Sequence, residues 1–147
     1  MKIREVTENK KQYISLLLLA DEQEDMIDRY LDKGIMYVLD DKGIKGECVV
    51  TDEGDGVLEI KNIAVLPECH GKGYGRILIE YIAERYRSQF SVLQAGTGDS
   101  PLTIPFYEKC GFVRHHTVEN FFTNNYDHPI IEAGIQLIDM VYLRRTL

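Results

Sequence analysis

VLPECHGKGYGRILIE, residues 65–80, joins the end of an alternating apolar run to a segment with helical spacing. Gly71, Gly73 and Gly75 occupy alternate positions, with Lys72 and Arg76 among them. Glycine permits positive φ and lets a bulky group approach the main-chain amides. The first N–H groups of a helix have no partner within it, and the helix dipole adds about half a positive charge there. Together with two cationic side chains, these features describe a cradle for phosphate or pyrophosphate. The competing reading is a glycine-rich turn with solvated Lys72 and Arg76, since short glycine loops are common.

Two nucleotide signatures fail on this loop. A P-loop requires Ser or Thr after its lysine, and Lys72 is followed by Gly73. The dinucleotide fingerprint requires G-x-G-x-x-G after the first strand, whereas the spacing here is G-x-G-x-G after the fourth expected strand.

On either side of the loop, VLEIKNIAV (57–65) reads as the strand that feeds it, and residues 75–87 read as a helix. Ile77, Leu78, Tyr81, Ile82 and Tyr86 form the apolar stripe of that helix. FSVLQAG (90–96) follows as a strand, completing a strand–helix–strand crossover from Val57 to Thr97. Ligands of such crossovers bind at the carboxyl ends of the strands, beside the helix N-terminus. Upstream, MKIREV is a short strand and Glu8–Ala20 a helix. A second helix opens on Asp21 as N-cap and buries Met26, Ile27, Tyr30 and Leu31 before Gly34 stops it. GIMYVLD and GIKGECVVTD form a hairpin around DDKG. Downstream come a short helix (SPLTIPFYEKC), a strand (GFVRHHTV), an aromatic loop (ENFFTNNYDHPIIEAGI) and a last strand, QLIDMVYL. The expected order is β-α-α-β-β-β-α-β-α-β-β, a mixed sheet.

The 147 residues fit one domain spanning 1–147, with enough chain for a buried core. No apolar stretch is long enough for a membrane span, and MKIREVTENKK lacks the apolar region of a signal peptide. Cys48, Cys69 and Cys110 are odd in number and widely spaced, which points to reduced thiols in the cytoplasm. A net charge of −7 argues against nucleic acid as a partner. His115 and His116 alternate faces of a strand and His128 lies far off, so no metal site is expected.

The loop with its flanks, IAVLPECHGKGYGRILIE, resembles the coenzyme A-binding core of the GNAT acyltransferases, [Q/R]-x-x-G-x-[G/A] between a strand and a helix. Gly73 and Gly75 fall on its glycines, and His70 stands where the family usually has Gln or Arg. A second block, FYEKCGFV (106–113), resembles the family's downstream helix, tyrosine and strand. The resemblance implies a mixed α/β (α+β) fold with a mostly antiparallel central sheet of about 6–7 strands and about 4 flanking helices. It implies acetyl-CoA as cosubstrate, no metal, and direct transfer to a primary amine of a small molecule or peptide. A non-catalytic acyl-CoA sensor is the competing reading.

It also implies roles. Main-chain groups of Ile63, Ala64 and Val65 would pair with pantetheine, with the Val65 N–H facing the oxyanion of a tetrahedral intermediate. Amides from Gly71 through Lys72, Gly73, Tyr74 and Gly75 to Arg76 would take the pyrophosphate, with His70 alongside. Tyr107 matches the tyrosine that protonates the leaving thiolate; without the resemblance it reads as an aromatic of the core. Glu59, six residues before Val65, matches the glutamate that serves as base in some members. Strand alternation sets Glu59 on one face with Lys61, facing either a wet cleft or simply that lysine. Asp99 lies where the family contacts pantetheine, or it caps the following helix. The acceptor side takes in Tyr30, Phe121, Phe122, Tyr126 and His128, with Glu22, Glu24 and Asp25 able to attract an amine. The last strand is a candidate for pairing across a homodimer.

Overall fold

The computed structural model describes residues Met1–Leu147. Strand β1 (Lys2–Val6) is followed by a 3-10 turn at Lys10–Tyr13 and helices α1 (Ile14–Ala20) and α2 (Glu24–Asp28). Strands β2 (Ile35–Asp40), β3 (Ile44–Asp52) and β4 (Val57–Val65) form an antiparallel meander. Helix α3 (Tyr74–Tyr86) crosses to β5 (Val92–Gly98), and α4 (Ile104–Lys109) leads to β6 (Val113–Val118). Helix α5 (Phe121–Asn125), a small hairpin of β7 (Ile131–Glu132) and β8 (Ile135–Gln136), and strand β9 (Met140–Thr146) complete the chain.

Seven strands join in the order β1-β2-β3-β4-β5-β9-β6, and β4–β5 is the one parallel pair. Both faces of the sheet are covered, which the sequence meets by placing apolar residues at both parities. In β2, Met36 and Val38 face α1 and α2 with Leu17, Ile27 and Leu31, while Tyr37 and Leu39 face α3 with Leu78, Ile79 and Ile82. Each such fully buried aliphatic side chain contributes about 1.5–3 kcal/mol. Tyr37 and Tyr86 bring their hydroxyls to 2.6 Å of each other, so one hydroxyl donates to the other as both aromatic rings enter the core.

The mixed α/β fold and the mostly antiparallel sheet agree with the expected architecture. Four details differ. The first helix is shorter than Glu8–Ala20, because Asn9 takes a left-handed conformation and a 3-10 turn precedes α1. Asp21 does not cap α2, which starts after Gln23; instead it ends α1. The aromatic loop contains α5 and the β7–β8 hairpin. Finally, the last strand begins at Met140 and lies inside the sheet between β5 and β6, with both of its edges used. It has no free edge to offer a second copy; the open edges belong to β1 and β6.

Two irregularities interrupt β4. Val49 pairs with Asn62 but Val50 pairs with Ile60, so Lys61 is an extra residue bulged into the strand. The parallel β4–β5 ladder runs from Val57–Val92 to Ile60–Ala95 and stops. Beyond it the two strands part.

Candidate active site

The glycine loop sits at the carboxyl end of β4. Gly71 and Gly73 have φ of 80° and 84°, and Gly73 occupies the N-cap of α3. A Cβ at either would meet nothing within 4 Å, so the space above this backbone is open. No side chain caps α3, leaving the amides of its first turn (Tyr74, Gly75, Arg76) free to donate to an anion. Gly75 has a different reason to lack a side chain: a Cβ there would lie 3.0 Å from Cζ of Phe106, so it sets how closely α3 packs on α4. Lys72 and Arg76 are exposed beside the loop. The carboxylates of the same helix are engaged elsewhere, Glu80 by Arg145 and Glu84 by Arg87.

Two loop residues behave differently from expectation. The His70 ring Nε2 lies 3.0 Å from the carbonyl oxygen of Val65, so the imidazole brackets the end of β4 instead of lending charge to an anion. The Tyr74 hydroxyl donates to Asp41 Oδ2 at 2.6 Å, fastening the loop to the β2–β3 turn. Its side chain is therefore an anchor, and its amide is what remains for a ligand.

Where β4 and β5 part, a cleft of about 530 Å³ opens. Ile63, Ala64 and Val65 line one wall; Gly96, Thr97 and Gly98 line the other. On its far edge this half of β4 still pairs with β3, Ile63 opposite Cys48 and Val65 opposite Gly46. The edge facing β5 has lost its strand partner, so main-chain donors and acceptors point into the cleft. Tyr107 of α4 also lines it, 6% exposed and packed edge-on against Phe106 and Phe112. Burial above all, with smaller contributions from nearby acidic groups that include Glu47 and Glu132, pushes the Tyr107 hydroxyl above its ordinary pKa. The hydroxyl therefore stays protonated at neutral pH.

Glu59 is not in this cleft. It lies on the paired part of β4, opposite Gln94 and Thr51, and is 5% exposed. Its Oε2 is 2.8 Å from Lys61 Nζ, and its Oε1 accepts from Gln94 Nε2 at 2.6 Å. Arg144 Nε in turn donates to Gln94 Oε1 at 2.8 Å. The carboxylate is thus the centre of a structural network, and the expected wet face is replaced by Lys61 and Gln94. Asp99 is likewise displaced: it is exposed and pairs with Arg114 at 3.3 Å. The helix cap does not follow, since Thr103 occupies the α4 N-cap and the Ser100 hydroxyl accepts from the Leu102 amide.

At the other end of the cleft, α1, α2 and the segment after β6 meet. Asp21 accepts from Tyr30 at 3.0 Å and from Tyr126 at 2.6 Å. Burial raises its carboxyl pKa, and the two hydroxyls act against that rise. Asn62 donates to Tyr30 Oη and to the carbonyl of Leu17, both at 3.0 Å. Of the acceptor-side residues expected from sequence, Phe122, Tyr126 and Glu22 line the cleft. Tyr30 sits behind Asp21, Glu24 pairs with Lys11, and Asp25 accepts from Gln23. His128 bridges Asp127 and Glu22 on the outside, and these partners raise its pKa. Sequence reasoning missed Asp21, Asn62 and Glu132 as cleft residues. Asn62 alone carried a signal, as a polar residue among the apolar positions of a central strand.

Comparison with known proteins agrees with this architecture. A profile of the acetyltransferase (GNAT) domain matches residues 32–114. An uncharacterized N-acetyltransferase, YvbK, of Bacillus subtilis (strain 168) is 34% identical over 139 residues, covering 92% of this chain and 90% of the relative. The structure of an IAA acetyltransferase from Bacillus cereus ATCC 14579 superposes with a TM-score of 0.91 at 34% identity, covering 99% of each chain. A GNAT family acetyltransferase from Elizabethkingia anophelis, solved with acetyl-CoA bound, gives 0.92 at 34% identity, covering 99% of this chain and 97% of that one. With the open glycine loop, the parted strands and the buried tyrosine already in place, these matches mean that the chain belongs to the GNAT acetyltransferase family.

Proposed function

We propose that this protein is an N-acetyltransferase that moves the acetyl group of acetyl-CoA directly to a primary amine of a small molecule or peptide. The observation that carries the reading is the parting of β4 from β5 directly above the open loop at Gly71–Gly73. A pantetheine arm can there replace the missing strand, bonding to the main chain of Ile63, Ala64 and Val65. The amides from Gly71 to Arg76, with the charges of Lys72 and Arg76, suit the pyrophosphate. The acetyl-CoA-bound relative supports this use of the fold.

Chemistry follows from three needs: an uncharged amine, a stabilised oxyanion, and a proton for the leaving thiolate. A main-chain N–H of the open half of β4, assigned to Val65, meets the oxyanion. Tyr107 stands at the cleft wall as the thiolate's hydrogen-bond donor. A coenzyme A thiol resembles cysteine, near 8.5, so a phenol whose pKa is raised above 10 holds the sulfur more readily than it surrenders its proton. Its role is to orient and stabilise the leaving group, with net transfer completed as protons redistribute. Three free, buried cysteines fit a reducing compartment, and the cytoplasm is the proposed location.

The test is release of free thiol from acetyl-CoA across a panel of primary amines. Turnover on at least one amine, reduced about 10- to 100-fold in Tyr107→Phe at unchanged coenzyme A affinity, is the expected result. Tight coenzyme A binding with no turnover on any amine would overturn the enzymatic reading.

A further inference from the structure

The proposed function leaves the base unassigned, because the Glu59 carboxylate is held by Lys61 and Gln94. The carboxylates lining the cleft are Asp21, Glu22 and Glu132. Asp21 already accepts two tyrosine hydroxyls, one on each oxygen. Glu22 faces His128 at 3.2 Å. Glu132 differs from both: its Oε2 is shut off from solvent and has no hydrogen-bond partner. A desolvated carboxylate oxygen without a donor is unfavourable until a ligand supplies one. Nothing in the cleft relieves this, since the one lysine there, Lys61, is committed to Glu59 and Glu53.

The position of Glu132 is built with care. It lies in the two-residue strand β7, and the turn to β8 passes through Ala133 and Gly134, both at positive φ. Buried Ile130 and Leu137 flank the hairpin and are joined by a 2.8 Å bond from the Leu137 amide to the Ile130 carbonyl. Leu137 fills the space over Gly98 of β5, where even a Cβ would come within 2.5 Å of it. The hairpin is therefore pinned onto the parted end of β5, in the wall of the cleft that Tyr107 also lines. Glu132 and Tyr107 both line this cleft.

We propose that Glu132 receives the acceptor amine, serving as counterion to its ammonium form and as proton acceptor during transfer. This rests on the N-acetyltransferase reading above. The ammonium gives one proton to water, and the neutral nitrogen attacks the thioester carbon, forming the N–C bond. The cationic nitrogen of the tetrahedral intermediate passes its second proton to Glu132. The C–S bond breaks with the Tyr107 hydroxyl donating a hydrogen bond to the sulfur, and the thiolate takes up the proton that Glu132 releases. The balance is one ammonium and one thioester to one amide, one thiol and one released proton.

The surroundings also specify an acceptor class. Three carboxylates line the cleft, while Leu19, Ala20, Phe122 and Ile131 supply apolar wall. That combination suits a primary amine on an apolar body with no carboxylate beside the nitrogen; an α-amino acid would set its own carboxylate against Glu132.

The experiment uses the full chain with acetyl-CoA and matched acceptors: phenethylamine against phenylalanine, and octylamine against 2-aminooctanoic acid. Glu132→Gln, close to isosteric, is expected to keep coenzyme A affinity and lose about 100-fold in kcat/KM, and Glu132→Asp to recover part of that loss. The amines lacking a carboxylate are expected to exceed their partners about 10-fold or more in kcat/KM. If the parent acetylates an amine and Glu132→Gln stays within about threefold of it, this inference falls and the N-acetyltransferase reading stands. A parent inert on every amine would overturn both. Equal use of both members of each pair would overturn the acceptor class.

Discussion

Strand β4 is two strands in one. Its first half, Val57–Ile60, is bonded on both edges, to β3 and in parallel to β5. Its second half, Lys61–Val65, keeps β3 but has left β5, and the bulge at Lys61 marks the change. In the closed half a charged side chain must find partners inside the protein, and Glu59 finds Lys61 and Gln94. In the open half the main chain itself lacks partners, and a ligand can supply them. A few residues along one strand therefore separate a structural carboxylate from a binding edge. What decides the role is whether the neighbouring strand is still there.

Four measurements bear on this contrast between the halves. The largest effect is expected at the foot of the open half. Gly73→Glu puts a side chain at φ 84° and a negative charge where the anion would sit. Calorimetry should find coenzyme A affinity reduced by about 100-fold or more; parent-like binding would displace the pyrophosphate from this loop. Next, Tyr107→Phe should lower kcat about 10- to 100-fold while the KM for acetyl-CoA moves little. A fall confined to melting temperature would return Tyr107 to the core.

The closed half predicts the opposite pattern. Glu59→Gln leaves Lys61 without its 2.8 Å partner and should cost about 1–3 kcal/mol in denaturant unfolding. Losing about two orders of magnitude in kcat with stability intact would instead make Glu59 the base after all. The smallest effect concerns β3 beneath the open half, where Glu47 pairs opposite Ala64. Glu47 is fully buried, neither oxygen has a partner, and burial raises its pKa well above the ordinary carboxylate value. A raised folded value means that the folded state holds the proton more tightly. Stability from this group is complete below about pH 4.3 and declines as pH rises from there through the folded value. Glu47→Gln should flatten that decline, gaining about 1 kcal/mol at about pH 8 and little at about pH 4; thermal melts at both pH values would show it. An equal shift at both would mean that titration is not the cause.

Much of this was legible in the sequence. Three glycines before a helical stripe located the open loop at the start of α3, and the second block located Tyr107 in the short helix after β5. Other features were hidden for physical reasons. Alternation along VLEIKNIAV cannot reveal the residue inserted at Lys61 or the Gln94 partner on β5, so it left Glu59 open between a wet cleft and the Lys61 pair that the structure shows. Asp99 owes its position to Arg114, a partner fifteen residues on across a helix. Leu137 reads as part of the last strand, yet it leaves the sheet to fill the hollow over Gly98. That seat is what turns a loop with no periodicity into the carrier of Glu132.

The threading of β9 bears on the order of assembly. Strand β6 bonds to β9 alone, and β9 lies between it and β5. Until β9 arrives, β6 has no place in the sheet. Strands β1 to β5 and the α3 crossover can form from near neighbours in sequence, so the donor loop belongs to the part with the shorter closures. Helix α4 is different: Arg145 of β9 donates to the Cys110 carbonyl at its end, and Val141 and Leu143 share its core. The Glu132 hairpin also waits for β5 and β9 to meet. The half that holds coenzyme A can thus mature before the half that uses it, and fraying of β9 would leave a chain that grips its donor and does nothing with it.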